Sequence, residues 1–269
     1  MRFVEREYPA LKDFFEFGEF NPIQKQCLPK IMRSDWNMIV SAPTSSGKTA
    51  LFEMAILKYQ HLSSPMCLYL APIKSLCHEK YTEWSRKFSK RLSVTEVTGD
   101  SLEGGIEQFL NSHIAVGTPE KIDFLSRQNL DYLKKIRLLL IDEIHMLNYE
   151  ERGATLEAVV SRIMSLNSNV RIIAVSATIP NIFEVGEWLR CPANAICVFG
   201  EEYRPVKIKT VVNGYPHSGN PFTFEKVLNY KLLEIVRAYS ERKGSLIFCP
   251  TQKGTQQACD QIISQMRDR

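Results

Sequence analysis

The sequence is poor in the features that mark membranes, secretion and metal scaffolds. Its longest apolar stretches are strand-sized, whereas a membrane-spanning helix needs about 20 apolar residues, so no span is expected. The first residues, Met1-Arg2-Phe3-Val4-Glu5-Arg6-Glu7, hold neither a long apolar core nor a small-residue cleavage site, and no signal peptide is expected. The seven cysteines are odd in number and form no C-x-x-C pair. That argues for buried reduced thiols in a cytosolic or nuclear protein, and against a structural metal. Neither sign of charge dominates: a net charge of +4 permits nucleic-acid binding without demanding it. Internal repeats and low-complexity tracts are also missing. What remains, 44% hydrophobic and 24% charged residues over 269 positions, is globular composition with room for one large domain or two modest ones.

Two motifs carry the chemistry. Ala42-Pro43-Thr44-Ser45-Ser46-Gly47-Lys48-Thr49 stands between an apolar strand, Met38-Ile39-Val40, and a helix-forming run from Ala50 to Tyr59. Turn N–H groups and a helix N-terminus there can hold phosphates, Lys48 can reach the terminal ones, and the Thr49 hydroxyl can hold Mg²⁺. Downstream, Leu138-Leu139-Leu140-Ile141 is a buried strand that ends in Asp142-Glu143-Ile144-His145. Asp142 is the expected Mg²⁺ partner, directly or through water, and Glu143 the base or water-orienting group. Together the motifs indicate a nucleoside triphosphatase. Ala42 departs from the first glycine of the G-x-x-x-x-G-K-[ST] pattern.

Strand-like runs alternate with amphipathic stretches, the pattern of a mostly parallel sheet flanked by helices. Strands are expected over 37–41, 66–70, 94–98, 113–116, 136–141 and 171–175, and helices over 48–61, 74–88, 119–126 and 155–164. After residue 200 the composition shifts. Residues 203–212 read as an extended connector strand and 213–221 as a loop; a helix (223–240), a buried strand (245–249) and a helix (251–266) follow. The expected domains are 1–200, a connector at 201–222, and an incomplete second unit at 223–269.

Smaller motifs have two readings each. Gln24, in Phe20-Asn21-Pro22-Ile23-Gln24, offers a donor and an acceptor that match an adenine edge, or is a polar residue at a helix start. Ser176-Ala177-Thr178 ends another strand; its hydroxyls can bond His145 or Asp142 and report the nucleotide state, or cap a helix. His145 has no second histidine four residues away, so a zinc pair is not indicated. Pro72 and Lys74, Thr98 and Gly99 with Asp100, and Thr118 and Pro119 each sit in a turn after a strand. Alone each is ordinary turn chemistry; three on one sheet edge favour a nucleic-acid track.

In this order and spacing, Gln24, APTSSGKT, APIKSL, TGD, TPEK, DEIH, SAT and RPV resemble the superfamily-2 helicases of the superkiller-like branch, over residues 15–260. SATIPN with EWL, RPVKI, NPFTFEKVLNYK and LIFCPTQKGTQQA look most like the meiotic crossover DNA helicases of that branch. The resemblance implies a RecA-like P-loop domain plus the start of a second RecA-like domain. It implies an ATP hydrolase with ATP and Mg²⁺ as cofactors and a 3′→5′ DNA helicase in the nucleus. Its implied partners are single-stranded or branched DNA rather than RNA, together with other recombination proteins. Lys48, Thr49, Asp142 and Glu143 would hold and activate ATP, and His145, Ser176 and Thr178 would couple the site to domain motion. Lys74, Thr98 and Thr118 would touch the strand. Ser45 stands where the family usually has glycine. The 269 residues also contain no G-R-x-G-R, the stretch that supplies arginines to the γ-phosphate in the family, so slow turnover by these residues alone is expected.

Overall fold

Alternation of apolar runs and amphipathic stretches produces one parallel sheet with helices on both faces. The computed structural model describes residues 11, 14, 15, 18–60, 66–99, 109–217 and 219–267; of the motif residues, Asp100 lies outside them. The strands are β1 (Met38–Ser41), β2 (Met66–Leu70), β3 (Val94–Val97), β4 (Ile114–Gly117), β5 (Ile136–Ile141), β6 (Arg171–Ser176) and β7 (Ile196–Val198). They pair in the order β3-β4-β2-β5-β6-β1-β7, every pair parallel. The helices are α1 (Pro22–Arg33), α2 (Thr49–Tyr59), α3 (Lys74–Phe88), α4 (Pro119–Gln128), α5 (Glu150–Leu166), α6 (Ile182–Trp188), α7 (Pro221–Tyr239) and α8 (Gln252–Arg267). No helix among the described residues is long and apolar enough to cross a membrane.

The period of two along each strand divides the core. Met38, Val40, Tyr69, Leu138, Leu140, Ile173 and Val175 face α1, α2 and α3, where Leu51, Phe52, Trp84 and Phe88 are buried. Ile39, Leu68, Leu70, Leu139, Ile141, Ile172 and Ala174 face α4, α5 and α6, meeting Ile122, Leu156, Val160 and Ile163. Each Val, Leu, Ile, Phe or Met among them, fully buried, contributes about 1.5–3 kcal/mol. The parallel sheet is therefore held from both sides, and its strand C-termini share one edge, where open α/β sheets place ligands.

Several elements differ from expectation. Helix α5 starts at Glu150, five residues early, because Gly153 supports a helix here rather than breaking it. A Cβ at that position would collide with the Leu147 carbonyl, so only glycine lets the helix pass the preceding turn. The expected connector strand over 203–212 is absent. Glu201–Tyr203 forms a 3₁₀ turn, and Val206, Ile208 and Val212 are exposed without strand partners. The strand at 245–249 is likewise absent, with Leu246 and Phe248 80% and 88% exposed. A strand is a paired state, and neither segment finds a described neighbour. Strand β7 and helix α6 went unanticipated.

The chain divides into two units, Met1–Lys207 and Ile208–Arg269, the boundary falling within the connector expected at 201–222. In the second unit α7 and α8 pack together; Leu233 and Ala258 are buried, and Gln265 Nε2 donates to the Tyr230 carbonyl at 2.8 Å.

Candidate nucleotide and strand site

The loop from Ala42 to Lys48 leaves the C-terminal end of β1 and enters α2, and its shape follows from its residues. The Ala42 N–H donates to the Ser176 carbonyl at 3.1 Å, which continues the β1–β6 ladder without any need for glycine at that position. Gly47 has φ +78° and Ser45 φ +65°. Serine at 45 therefore occupies the left-handed region usually left to glycine. Thr44 and Ser45 are exposed, Pro43 and Ser46 buried, and Lys48 and Thr49 half-buried at the start of α2. The Lys48 ammonium donates to the carbonyls of Ala42 at 2.8 Å and Pro43 at 3.1 Å. Two of its three N–H groups are used in this way, and the third remains for another acceptor.

Helix α1 braces the loop from outside. Asn21 and Gln24 form a reciprocal capping box. Their amides then reach across: Asn21 Nδ2 donates to the Ser46 carbonyl at 2.9 Å and Gln24 Nε2 to the Gly47 carbonyl at 3.1 Å. Gln24, expected at an adenine edge, thus has its oxygen on the Asn21 N–H and its nitrogen on the loop. Asn21 was missed as a brace, although an N-x-x-Q box is visible in the sequence.

Asp142 and Glu143 leave β5, one strand from β6 and two from β1. Asp142 Oδ2 accepts from the Tyr69 hydroxyl at 2.6 Å and Oδ1 from the Glu143 N–H at 2.9 Å. Burial raises the Asp142 carboxyl above its ordinary value; the Tyr69 and Glu143 hydrogen bonds and the Lys48 charge oppose that shift. Burial also lowers the Lys48 ammonium, against the attraction of Glu143 and Asp142, with Arg204 adding to the lowering. Tyr69 went unrecognised in the sequence; its signal was a polar-tipped aromatic inside a fully apolar strand. Glu143 has φ +48°, a left-handed residue that turns its side chain off the strand axis.

Among the described residues, five buried side-chain polar atoms have no hydrogen-bond partner, and four belong to these motifs: Ser46 Oγ, Glu143 Oε2, His145 Nδ1 and Ser176 Oγ. Glu143 Oε2 and His145 Nδ1 approach to 3.2 Å outside hydrogen-bond geometry. Of the two readings of Ser176, a bond to His145 or Asp142 is not made by its hydroxyl here, and Thr178 is exposed. Buried groups left without partners are rare in folded proteins. An ammonium, two hydroxyls, two carboxylates and a helix N-terminus at one sheet edge fit a polyphosphate with a hard cation.

The turns after β2, β4 and β3 lie side by side on the same sheet edge. Lys74 and Gly99 are exposed, Pro72 is half-buried, and Thr98, Thr118 and Pro119 are buried. Thr98 Oγ1 donates to Glu96 at 3.4 Å. Lys74, Gly99 and Thr118 line one groove of about 430 Å³. The buried Thr98, Thr118 and Pro119 can offer backbone but little side chain. Groups of three or more metal-ligating side chains are absent among the described residues.

Comparison with known proteins gives a family and a fold. The DEAD/DEAH box helicase family matches residues 21–185. An ATP-dependent DNA helicase homolog MER3 of Arabidopsis thaliana is 42% identical over 92% of this chain and 24% of its own length. The probable ATP-dependent DNA helicase HFM1 of Homo sapiens is 38% identical over 93% of this chain and 19% of its own. The chain thus spans about a quarter or less of these curated relatives. Among solved structures, the Mycobacterium smegmatis helicase Lhr, bound to ssDNA and AMP-PNP, superposes with a TM-score of 0.70 at 21% identity. That match covers 98% of this chain and 37% of the other, and it shows the shared fold.

Proposed function

The chain belongs to the DEAD/DEAH box helicase family, and from that membership we propose that it is the first motor half of an ATP-dependent 3′→5′ DNA helicase of meiotic crossover formation, acting in the nucleus. The observation that carries the reading is the cluster of unpartnered groups at adjacent strand ends: Ser46, Glu143, His145 and Ser176, beside Lys48 and Asp142. DNA rather than RNA is supported by the names of the relatives, and the meiotic role by the sequence resemblance that SATIPN, RPVKI and LIFCPTQKGTQQA carry.

In this reading the loop N–H groups and the α2 N-terminus cradle phosphates, while Lys48 leaves its two carbonyls for the terminal ones. Thr49 and Asp142 hold Mg²⁺, which when bound neutralises charge on the phosphate oxygens. Glu143 orients water and accepts its proton. Gln24 keeps the loop in shape through Gly47, and one lone pair and one N–H of its amide remain for an adenine edge. His145, Ser176 and Thr178 couple the site to domain motion, and the three strand-end turns carry backbone phosphates of a single strand.

Titration with a fluorescent ATP analogue and Mg²⁺ tests the reading. Lys48→Ala abolishes binding, since it removes the ammonium that engages the terminal phosphates in this reading; Glu143→Gln keeps shape and preserves it. A Lys48→Ala variant that binds as tightly as the parent sinks the phosphate-loop reading.

A second reading is a non-motor module that binds ATP and a single strand. In that reading the loop after β1 and the strand-end turns bind their ligands without turnover. An arginine from outside the P-loop domain is worth about 10³–10⁵ in rate. Steady-state turnover by these residues, with and without single-stranded DNA, separates the two. Robust strand-stimulated turnover excludes the module and makes Arg204, whose charge reaches Lys48, the candidate finger.

A further inference from the structure

The groove beside the strand-end turns holds a residue that phosphate contacts leave without a role. Phe124 projects from α4 with 53% of its surface exposed, while Ile122 and Leu125 on the same helix fill the core. A lone exposed aromatic is ordinary on a protein surface; this one shares its groove with three cations, Lys74, Lys121 and Arg152, and with Glu120. The Lys121 ammonium lies 5.3 Å from the Phe124 ring centroid. Arg152, on the same groove wall, pairs through Nε with Glu120 at 3.0 Å, both side chains being about two-fifths exposed. Such an exposed pair is weak and exchanges readily for another anion. The Lys74 ammonium, which lines the same groove, packs over Gly99, 3.3 Å from where a Cβ would stand. A flat apolar face bordered by positive groups is the chemistry that binds single-stranded nucleic acid: bases stack on the ring while cations follow the backbone.

We propose that Phe124 is a nucleobase-stacking platform, taking one base of a single strand whose phosphates cross the turns after β2, β4 and β3, with Lys121 and Arg152 at that nucleotide's phosphate. The proposal rests on the strand-track reading above and adds a base contact to it. Stacking uses the π-face that every base has, so the site selects single strand over duplex without reading sequence. A duplex keeps its base faces covered by their neighbours and has none to offer the ring.

The test pairs two substitutions with two oligonucleotides, one ordinary and one in which consecutive nucleotides are abasic. Affinities are read by fluorescence anisotropy, and thermal unfolding reports that each variant folds. Phe124→Ala weakens the ordinary strand by about tenfold or more, and leaves the abasic strand at the parental affinity. Phe124→Trp restores or tightens binding, and 2-aminopurine in the strand is quenched by the parent but not by Phe124→Ala. Lys74→Ala weakens both oligonucleotides alike. If Lys74→Ala weakens binding while Phe124→Ala changes nothing, or changes both oligonucleotides equally, stacking is overturned and the strand track stands. If the chain binds neither strand, or neither substitution has an effect, the track reading falls and this proposal with it.

Discussion

Opposite substitutions in the loop between β1 and α2 should move nucleotide binding in opposite directions. The loop bends through two left-handed residues, Ser45 and Gly47. Gly47→Ala forces a Cβ into a conformation that costs a non-glycine residue roughly 1–2 kcal/mol. The new atom would stand 2.7 Å from Gln24 Nε2 and 2.9 Å from Asn21 Nδ2. Those amides hold the Gly47 and Ser46 carbonyls, and each hydrogen bond displaced loses about 0.5–1.5 kcal/mol. Together the effects total about 2–5 kcal/mol, a loss of affinity from about 30-fold to some thousands-fold if the loop bears it all. Ser45→Gly relieves about 1–2 kcal/mol of strain at 45 and costs about 0.5–1 kcal/mol in backbone entropy. Its binding should lie between parental and about tenfold tighter. The assay is titration with a fluorescent ATP analogue and Mg²⁺, with thermal unfolding in the absence of nucleotide to separate loop from global effects. A Gly47→Ala variant that binds at parental affinity refutes the bracing argument. Ser45→Gly weakened more than tenfold would show that the serine hydroxymethyl itself holds nucleotide.

Three further outcomes follow from named contacts. Tyr69→Phe removes a hydrogen bond that favours the Asp142 carboxylate, so the acid limb of Mg²⁺-dependent ATP binding should move to higher pH; an unmoved limb would separate Asp142 from the metal. The sign for folding is opposite: the folded Asp142 carboxyl sits above its ordinary value, so its contribution to stability grows as pH falls through that range. Lys74→Ala should lower the salt slope of single-strand binding by roughly 0.7 and weaken all sequences alike; a loss confined to one sequence would indicate base readout. Replacing the exposed Leu246 and Phe248 by lysine should reduce light scattering of concentrated protein while ATP affinity is kept, and unchanged scattering would clear that segment of self-association.

Strands β2 and β5 and helix α3 were legible to the residue, because a buried parallel strand is a short apolar run with turn signals at both ends. The positions of the loop after β1 and of Asp142-Glu143 after β5 were legible for a related reason, since each motif adjoins an apolar strand in sequence. What was not legible depends on neighbours distant in the chain. Residues 245–249 have strand composition, but composition cannot supply the adjacent strand that would pair them. The early start of α5 passes through Gly153, which has the Leu147 carbonyl against it, a contact between two elements. Tyr69 and Asp142 lie 73 residues apart in sequence and 2.6 Å apart in space, a pairing that follows only from the adjacency of β2 and β5. Gln24 shows the same limit from the other side: its bonds to the Asn21 N–H and the Gly47 carbonyl depend on the loop's position in space, and one lone pair and one N–H of its amide remain beside them.

The arrangement of unpartnered groups bears on what this site can accept. A buried polar atom without a hydrogen bond costs about 1–3 kcal/mol, and Ser45 and Glu143 add left-handed backbone beside them. Spread over the fold, such features would simply weaken it; gathered at the ends of β1, β5 and β6, they form a site whose groups are in place before any ligand arrives. The set is mixed in sign. Ser46 and Lys48 supply donors suited to phosphate oxygens, whereas Glu143 Oε2 is an acceptor that a phosphate can only repel. An anion alone leaves Glu143 unsatisfied, and a cation alone leaves the loop and the α2 N-terminus unsatisfied. A polyphosphate that arrives with its metal and an ordered water meets both demands at once. The same mixture explains why Lys48 rests on its own loop carbonyls: the ammonium is held close to two carboxylates by neutral acceptors, ready to exchange them for charged oxygens without crossing the site.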